Sequence, residues 1–216
     1  MFSQSISELS WSIISSRTFG KWVLTGSGTL NGTTYTYGPG NGTLVAAYSG
    51  AGNAISLTTA TRTGYIFLGW YDAPTGGNKI GNAGASYTPK ANITLYAHWQ
   101  LGIAQIGSTL YPSLASAIDA VPSTNVQTGI TMINNTTESV VIPSGKNVKL
   151  NVNGKTITGT STSTVTINNK GTLYLYGGTV TKGSNVIENN GTMTFVNGTI
   201  SNGSNFAMAN NSTFTM

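Results

Sequence analysis

Five carboxylates, one histidine and no cysteine are all that this 216-residue chain offers to acid–base, nucleophilic or metal chemistry. The acids are Glu8, Asp72, Asp119, Glu138 and Glu188, and no two lie close together in sequence. Hydrolysis by paired carboxylates needs two such groups within several ångström. Calcium needs six to eight oxygens, several of them normally carboxylates. Neither grouping can be assembled from this set, and His98 has no partners for a zinc site or a triad. The expectation is no catalytic residue, no metal site and no cofactor, and for His98 an outward strand position beside Trp99. Tyr174 and Tyr176 are different. They alternate with Leu173 and Leu175, so their rings share an outward face. Ring faces with polar neighbours suit stacking on sugars, since Tyr combines an apolar face with a hydroxyl.

The element that positions these tyrosines is a repeat. Gly145–Thr160, Gly171–Gly183 and Gly191–Gly203 superimpose, and Ser212–Met216 starts a further copy. Apolar residues then fall into columns: Val148, Leu173, Met193, Phe214; Leu150, Leu175, Phe195, Met216; Ile157, Val180, Ile200; and Ile142, Ile167, Ile187, Met208. The steps from 148 to 173, 193 and 214 are 25, 20 and 21 residues, one coil of three short strands. Such a period marks a solenoid beginning at about Val140, whose coils bury apolar faces against their neighbours. Stacking sets Lys149 and Asn151 beside Tyr174 and Tyr176, and these four make the candidate ligand face. Glu188 falls between Asn168 and Ala209, without a second carboxylate. Asn169, Asn189 and Asn210 share a column before a turn, which reads as an amide ladder satisfying the bend.

Composition agrees with an all-β chain. Only 7% of residues are charged against roughly a quarter in ordinary domains. Asn-Gly steps at Asn31, Asn41, Asn153, Asn190, Asn197 and Asn202 suit tight turns. The net charge of +5 comes from dispersed Lys and Arg, with no run to track a phosphate backbone, so nucleic acid is not an expected partner. No apolar run reaches the length of a membrane span, so membrane insertion is not expected. The N-terminus lacks the basic and apolar regions of a secretory signal.

Ahead of the solenoid, Leu114, Ala117, Ile118 and Val121 make one apolar stripe on a short helix, with Pro112 in its first turn and Pro122 ending it. This helix is placed to cap the first coil. Two further β-rich units precede it. One runs through Phe19–Trp22, Thr34–Gly38 and Gly42–Tyr48; the other runs through Phe67–Trp70, Ala85–Pro89 and Ile93–Trp99. The second should fold around Tyr65, Phe67, Trp70 and Leu95. The predicted domains are residues 1–48, 49–101 and 102–216.

The second unit carries a motif. Thr61, Thr63, Gly64, Tyr65, Phe67, Gly69, Trp70 and Tyr71, followed by Thr94, Leu95, Tyr96, Ala97 and Trp99, resemble the internalin-type B-repeat, also called the Listeria–Bacteroides repeat. The resemblance covers about forty residues, and the first unit looks like a degenerate copy lacking the Thr-Gly-Tyr lead-in. It implies a small β module used in tandem on bacterial surface proteins, often as a stalk, with no enzymatic activity. Residues 104–216 resemble the right-handed parallel β-helix domains of bacterial adhesins, related in shape to the pectate-lyase superfamily.

Together these readings predict a non-enzymatic adhesive or structural protein of the cell surface or extracellular space. Its solenoid would be C-terminally open, and the chain would be a fragment of a longer one lacking its signal peptide. The partner would be a glycan or a host or surface protein. The alternative is a self-assembling subunit of a virion or filament, a phage fibre or decoration protein for instance, that associates through Phe206, Met208, Phe214 and Met216 of the last coil.

Overall fold

In the computed structural model, residues 19–25, 28–31, 34–37, 43–48 and 54–216 are described, those before residue 54 as backbone strands only. The expectations for residues 1–18, and for the side chains of the first β unit, lie outside the described residues. The chain divides into two compact units, Met1–Gln100 and Leu101–Met216.

The first unit contains β1 (Phe19–Thr25), β2 (Gly28–Asn31), β3 (Thr34–Tyr37), β4 (Thr43–Tyr48), β5 (Ile55–Ser56), β6 (Ala60–Arg62), β7 (Tyr65–Tyr71), β8 (Lys79–Gly81), β9 (Ser86–Tyr87) and β10 (Ile93–Leu101). One sheet runs β1-β4-β10-β7-β6-β3-β2, with β8 on β7, while β5 and β9 pair separately. The strands of the two sequence units therefore share a sheet: β4 lies antiparallel to β10, and β3 parallel to β6. Its core holds Leu57, Ala60, Trp70 and Leu95, with Phe67, Ala97 and Trp99 packed against them.

Phe67 and Trp70 differ in parity, so a regular strand would send them to opposite faces. Gly69 interrupts the alternation at φ +127°, and a Cβ there would meet Lys79 Cε at 2.6 Å and the Gly81 carbonyl at 2.8 Å. Both rings thus reach one core, edge to face at 5.6 Å. The Trp70 indole N–H donates to the Thr58 carbonyl at 2.8 Å. Tyr65, expected in this core, is half-buried instead, and the Arg62 guanidinium lies 3.6 Å from its ring centroid. The turn after β7 is closed by Asp72, whose carboxylate accepts from the Asn78 backbone at 2.6 Å and its side-chain amide at 2.9 Å.

The second unit contains β11 (Ala104–Ile106), β12 (Thr109–Tyr111), α1 (Leu114–Ala120), β13 (Gln127–Met132), β14 (Thr136–Thr137), β15 (Val140–Ile142), β16 (Asn147–Thr158), β17 (Ile167–Asn169), β18 (Thr172–Asn189), β19 (Thr192–Phe195), β20 (Thr199–Asn210) and β21 (Thr213–Thr215). From β13 onward these form a parallel β-solenoid of about four turns, preceded by the antiparallel β11 and β12 and by one short helix, as the repeat predicts. The expected columns hold along most of its length. Val148, Leu173, Met193 and Phe214 stack, as do Leu150, Leu175 and Phe195, and Ile157, Val180 and Ile200.

Two corrections concern the start of the stack. The solenoid begins at Gln127, not Val140, because β13 pairs in parallel with β16, Ile130 on Leu150. Thr128 stands where later coils have Val, Leu and Met, and Thr136 where they have Ile and Val, so the apolar signature is broken there. The Thr136 hydroxyl is satisfied by the Glu138 carboxylate. Next, Val140 and not Ile142 lies on Ile167, and Ile142 lies on Asn169. Both side chains face inward, so a slip of two residues keeps the apolar face and alternation cannot distinguish the registers.

Helix α1 covers the first coil with Leu114, Ala117, Ile118 and Val121, each at most 2% exposed. Pro112 precedes the helix instead of entering it. Ser113 is the N-cap, and its hydroxyl accepts the Ser116 N–H at 2.9 Å. Charges from the solenoid hold both ends. The Glu138 carboxylate accepts the Leu114 and Ala115 N–H groups at 2.9 and 3.0 Å. The Lys146 ammonium, 8% exposed, donates to the Ile118 and Asp119 carbonyls, both at 2.8 Å. An anion at the N-terminus and a cation at the C-terminus each complement the helix dipole and satisfy groups the helix leaves open. Among the described residues no helix is long and apolar enough to cross a membrane.

Two outcomes follow from these contacts. Glu138→Ala, which leaves two helix N–H groups without their acceptor, should lower the unfolding free energy by about 1–2 kcal/mol in urea titration. In the first unit, the Asn78 amide and then the Asn78 N–H hold the Asp72 carboxyl below 3.8. The charged form is favoured in the fold, so the turn contacts are complete above that pH and are lost as pH falls through the lowered value. Asn78→Ala should move the Asp72 titration, followed by carboxyl NMR, upward toward 3.8.

Candidate functional site

The tyrosine face is built by register. Strand pairing sets Lys149 beside Tyr174 and then Thr194, and Asn151 beside Tyr176. Val148, Leu150, Leu173 and Leu175 point into the core, so these neighbours must point out. The two phenol rings meet edge to face with centroids 6.3 Å apart. The Lys149 ammonium stands 5.8 Å from the Tyr174 centroid and 5.7 Å from that of Tyr176. A cation at this range is attracted to a ring face, and here it lies within 6 Å of both ring centroids. Asn151 contributes less than its column position suggests: its side-chain oxygen accepts the Asn153 N–H at 2.9 Å and supports the turn. Val196, 49% exposed, adds an apolar margin.

Sequence reasoning missed one member of this face. Gly129 lies beside Lys149 on the side away from Tyr174. It is exposed, and a Cβ built on it would meet nothing within 4 Å. Its signal in the sequence is a glycine in a strand-like run twenty residues before Lys149, in a coil whose apolar columns are broken by Thr128 and Thr136.

The asparagine column is the ladder it was expected to be. The Asn169 amide donates to the Asn189 side-chain oxygen at 2.7 Å, and Asn189 donates to Asn210 at 2.7 Å. Each also donates at 2.9 Å to a carbonyl of the following coil, Thr192 and Thr213. Their oxygens accept the Gly171 and Gly191 N–H groups at the bends. Asn169 and Asn189 are fully buried, so they present no stripe to a ligand. Ile142 covers the first rung.

The remaining candidates lie apart. Glu188 is between Asn168 and Ala209 in register, and its carboxylate accepts the Asn190 amide at 2.8 Å. His98 is not simply outward-facing. Its ring stacks on Tyr71 at 3.8 Å and 7°, and Nε2 donates to the Ala73 carbonyl at 2.9 Å, anchoring the loop that Asp72 closes. On the last coil, Phe206 and Met216 are 63% and 89% exposed, whereas Met208 and Phe214 are half-buried against the solenoid core.

Residues 30–98 match the Listeria-Bacteroides repeat domain. The match takes in the Thr61–Trp99 motif and extends upstream to β2, across strands of both sequence units. No solved structure matches the chain. A repeat domain of this kind and a β-solenoid fit a surface or structural protein.

The ladder generates its own expectation. Asn189→Leu keeps the branched outline of the side chain, with a larger volume, but removes two donated and two accepted bonds inside the core. The buried groups left behind should cost about 3 kcal/mol in urea unfolding of the solenoid. A loss under about 1 kcal/mol would mean that water replaces the rungs.

Proposed function

We propose that this chain is a non-enzymatic surface protein whose solenoid presents the Tyr174–Tyr176 face to glycan. The observation that carries the reading is the pair of phenol rings on one outward face with a lysine ammonium within 6 Å of both. Rings held on a stiff ladder lose little freedom on contact, so stacking on a sugar is not offset by ordering the site. Two tyrosines on one coil offer one or two sugar units a shallow platform. That geometry favours weak contacts multiplied over many copies, as suits a protein displayed on a surface. The repeat domain then serves as a stalk module, the use its family resemblance implies.

The test is glycan binding by the whole chain, measured on an array and then by calorimetry. Tyr174→Ala with Tyr176→Ala should abolish saturable binding. Each ring sits on a strand whose inward neighbours are untouched, so the double variant should change the unfolding free energy by less than about 2 kcal/mol. Binding that persists in a folded double variant would remove this face from consideration. Concentration-dependent self-association without glycan binding would favour an assembling subunit instead.

A further inference from the structure

We infer that the ligand of this face is an acidic saccharide, whose ring stacks on Tyr174 and Tyr176 while its carboxylate seats over Gly129 against the Lys149 ammonium. The inference rests on the glycan reading above and adds the charge of the sugar and its direction across the coils.

Of the nearby ions, Glu138 is committed to the N-terminus of α1 and Lys146 to its C-terminus. Glu188 holds the Asn190 amide on a different face. Lys149 is exposed, and its ammonium approaches the two tyrosine rings, 5.8 and 5.7 Å from their centroids. Its strand neighbours, Gly129 and Tyr174, bring no opposite charge. The chain as a whole is basic, with ten Lys and Arg against five Asp and Glu. An ammonium held beside aromatic rings, on a strand whose other neighbour is a vacant position, is a half-made ion pair.

Gly129 supplies the vacancy. Every other outward position of the adjoining column carries a side chain, Lys149, Tyr174, Thr194 and Thr215 in turn. At Gly129 there is none, and the space is open. Adjacent strands lie about 4.8 Å apart, so the notch and the rings flank Lys149 at roughly the span of one pyranose with its exocyclic acid group. A neutral sugar would use the rings and leave both the ammonium and the notch unused. A carboxylate engages both, with a charge-assisted hydrogen bond from Lys149.

The experiment compares hyaluronan hexasaccharide, alginate hexasaccharide and 3′-sialyllactose with their carboxyl-reduced forms, each titrated against the whole chain by calorimetry. At least one acidic form should bind roughly fivefold more tightly than its reduced form at low salt, the scale of an exposed ion pair, and the margin should shrink as salt rises. Lys149→Gln should erase that margin. Gly129→Val is a second variant: valine suits a strand and meets open space there, so the melting temperature should not fall while acidic binding is lost. Equal binding of acidic and reduced forms would overturn this inference and leave the glycan reading standing. Binding of neither form to the folded wild-type chain would overturn both. An acidic preference that survives Lys149→Gln and Gly129→Val would place the ligand elsewhere and overturn the inference.

Discussion

A coil that turns three times must leave its sheet at each corner, where backbone N–H and carbonyl groups lose their ladder partners. The asparagine ladder answers this constraint at one corner of the solenoid, and the rest of the unit depends on it. Each amide spans to the next coil twice, once to a side chain and once to a carbonyl, and its oxygen closes its own bend. A buried polar group is costly unless every bond is made. A coil slipped by two residues would keep its apolar face but set amide against isoleucine. The ladder thus penalises the slips that hydrophobic alternation permits. With that register held, Tyr174 lies beside Thr194; Lys149 is set beside Tyr174 by the pairing of β16 with β18, and the outward face is assembled without any loop to position it.

The ends of a solenoid raise a related problem, since the first coil has an apolar face with nothing stacked on it. Helix α1 covers that face with four buried side chains, but a seven-residue helix is too short to hold itself together. Its stability is borrowed from the coil it covers. Glu138, between β14 and β15, and Lys146, just before β16, take its two termini, so the helix is held to the stack at both ends. This explains why a charge-poor chain keeps a lysine that is 8% exposed: its charge is spread over two carbonyls at the negative end of the helix. It also explains where the few charges go. Glu138 and Lys146 serve the cap, Asp72 and Glu188 hold asparagine amides, and Lys149 is left on the surface beside the rings.

The repeat domain solves the small-core problem differently. Its core is aromatic, and Gly69 lets two rings three residues apart enter the same side of one strand. The Phe-x-Gly-Trp order of the motif is therefore a packing device. The same strand then sends Tyr71 outward to stack on His98, which ties the following loop to β10. The chain's only histidine is thereby occupied in holding a turn.

The sequence by itself determined the solenoid, its coil length, the inward columns from Val148 onward, the amide ladder, the capping stripe and the repeat motif. Each of these is a periodicity, and periodicity is set by the geometry of strand and helix, independent of partners. The sequence also implied that Lys149 would meet Tyr174 and Tyr176, because a parallel stack converts a repeat interval directly into adjacency. Tertiary structure decided the rest. It placed Val140 on Ile167 and Ile142 on Asn169, since two registers of equal polarity are not distinguished by alternation. It revealed the coil from Gln127, whose inward threonines are satisfied by partners that no spacing announces. It gave Glu138 and Lys146 to the two ends of one helix, a pairing between residues eight apart in sequence and on opposite sides of a fold. And it left Gly129 open beside Lys149, because a missing side chain has meaning only once its neighbours are known.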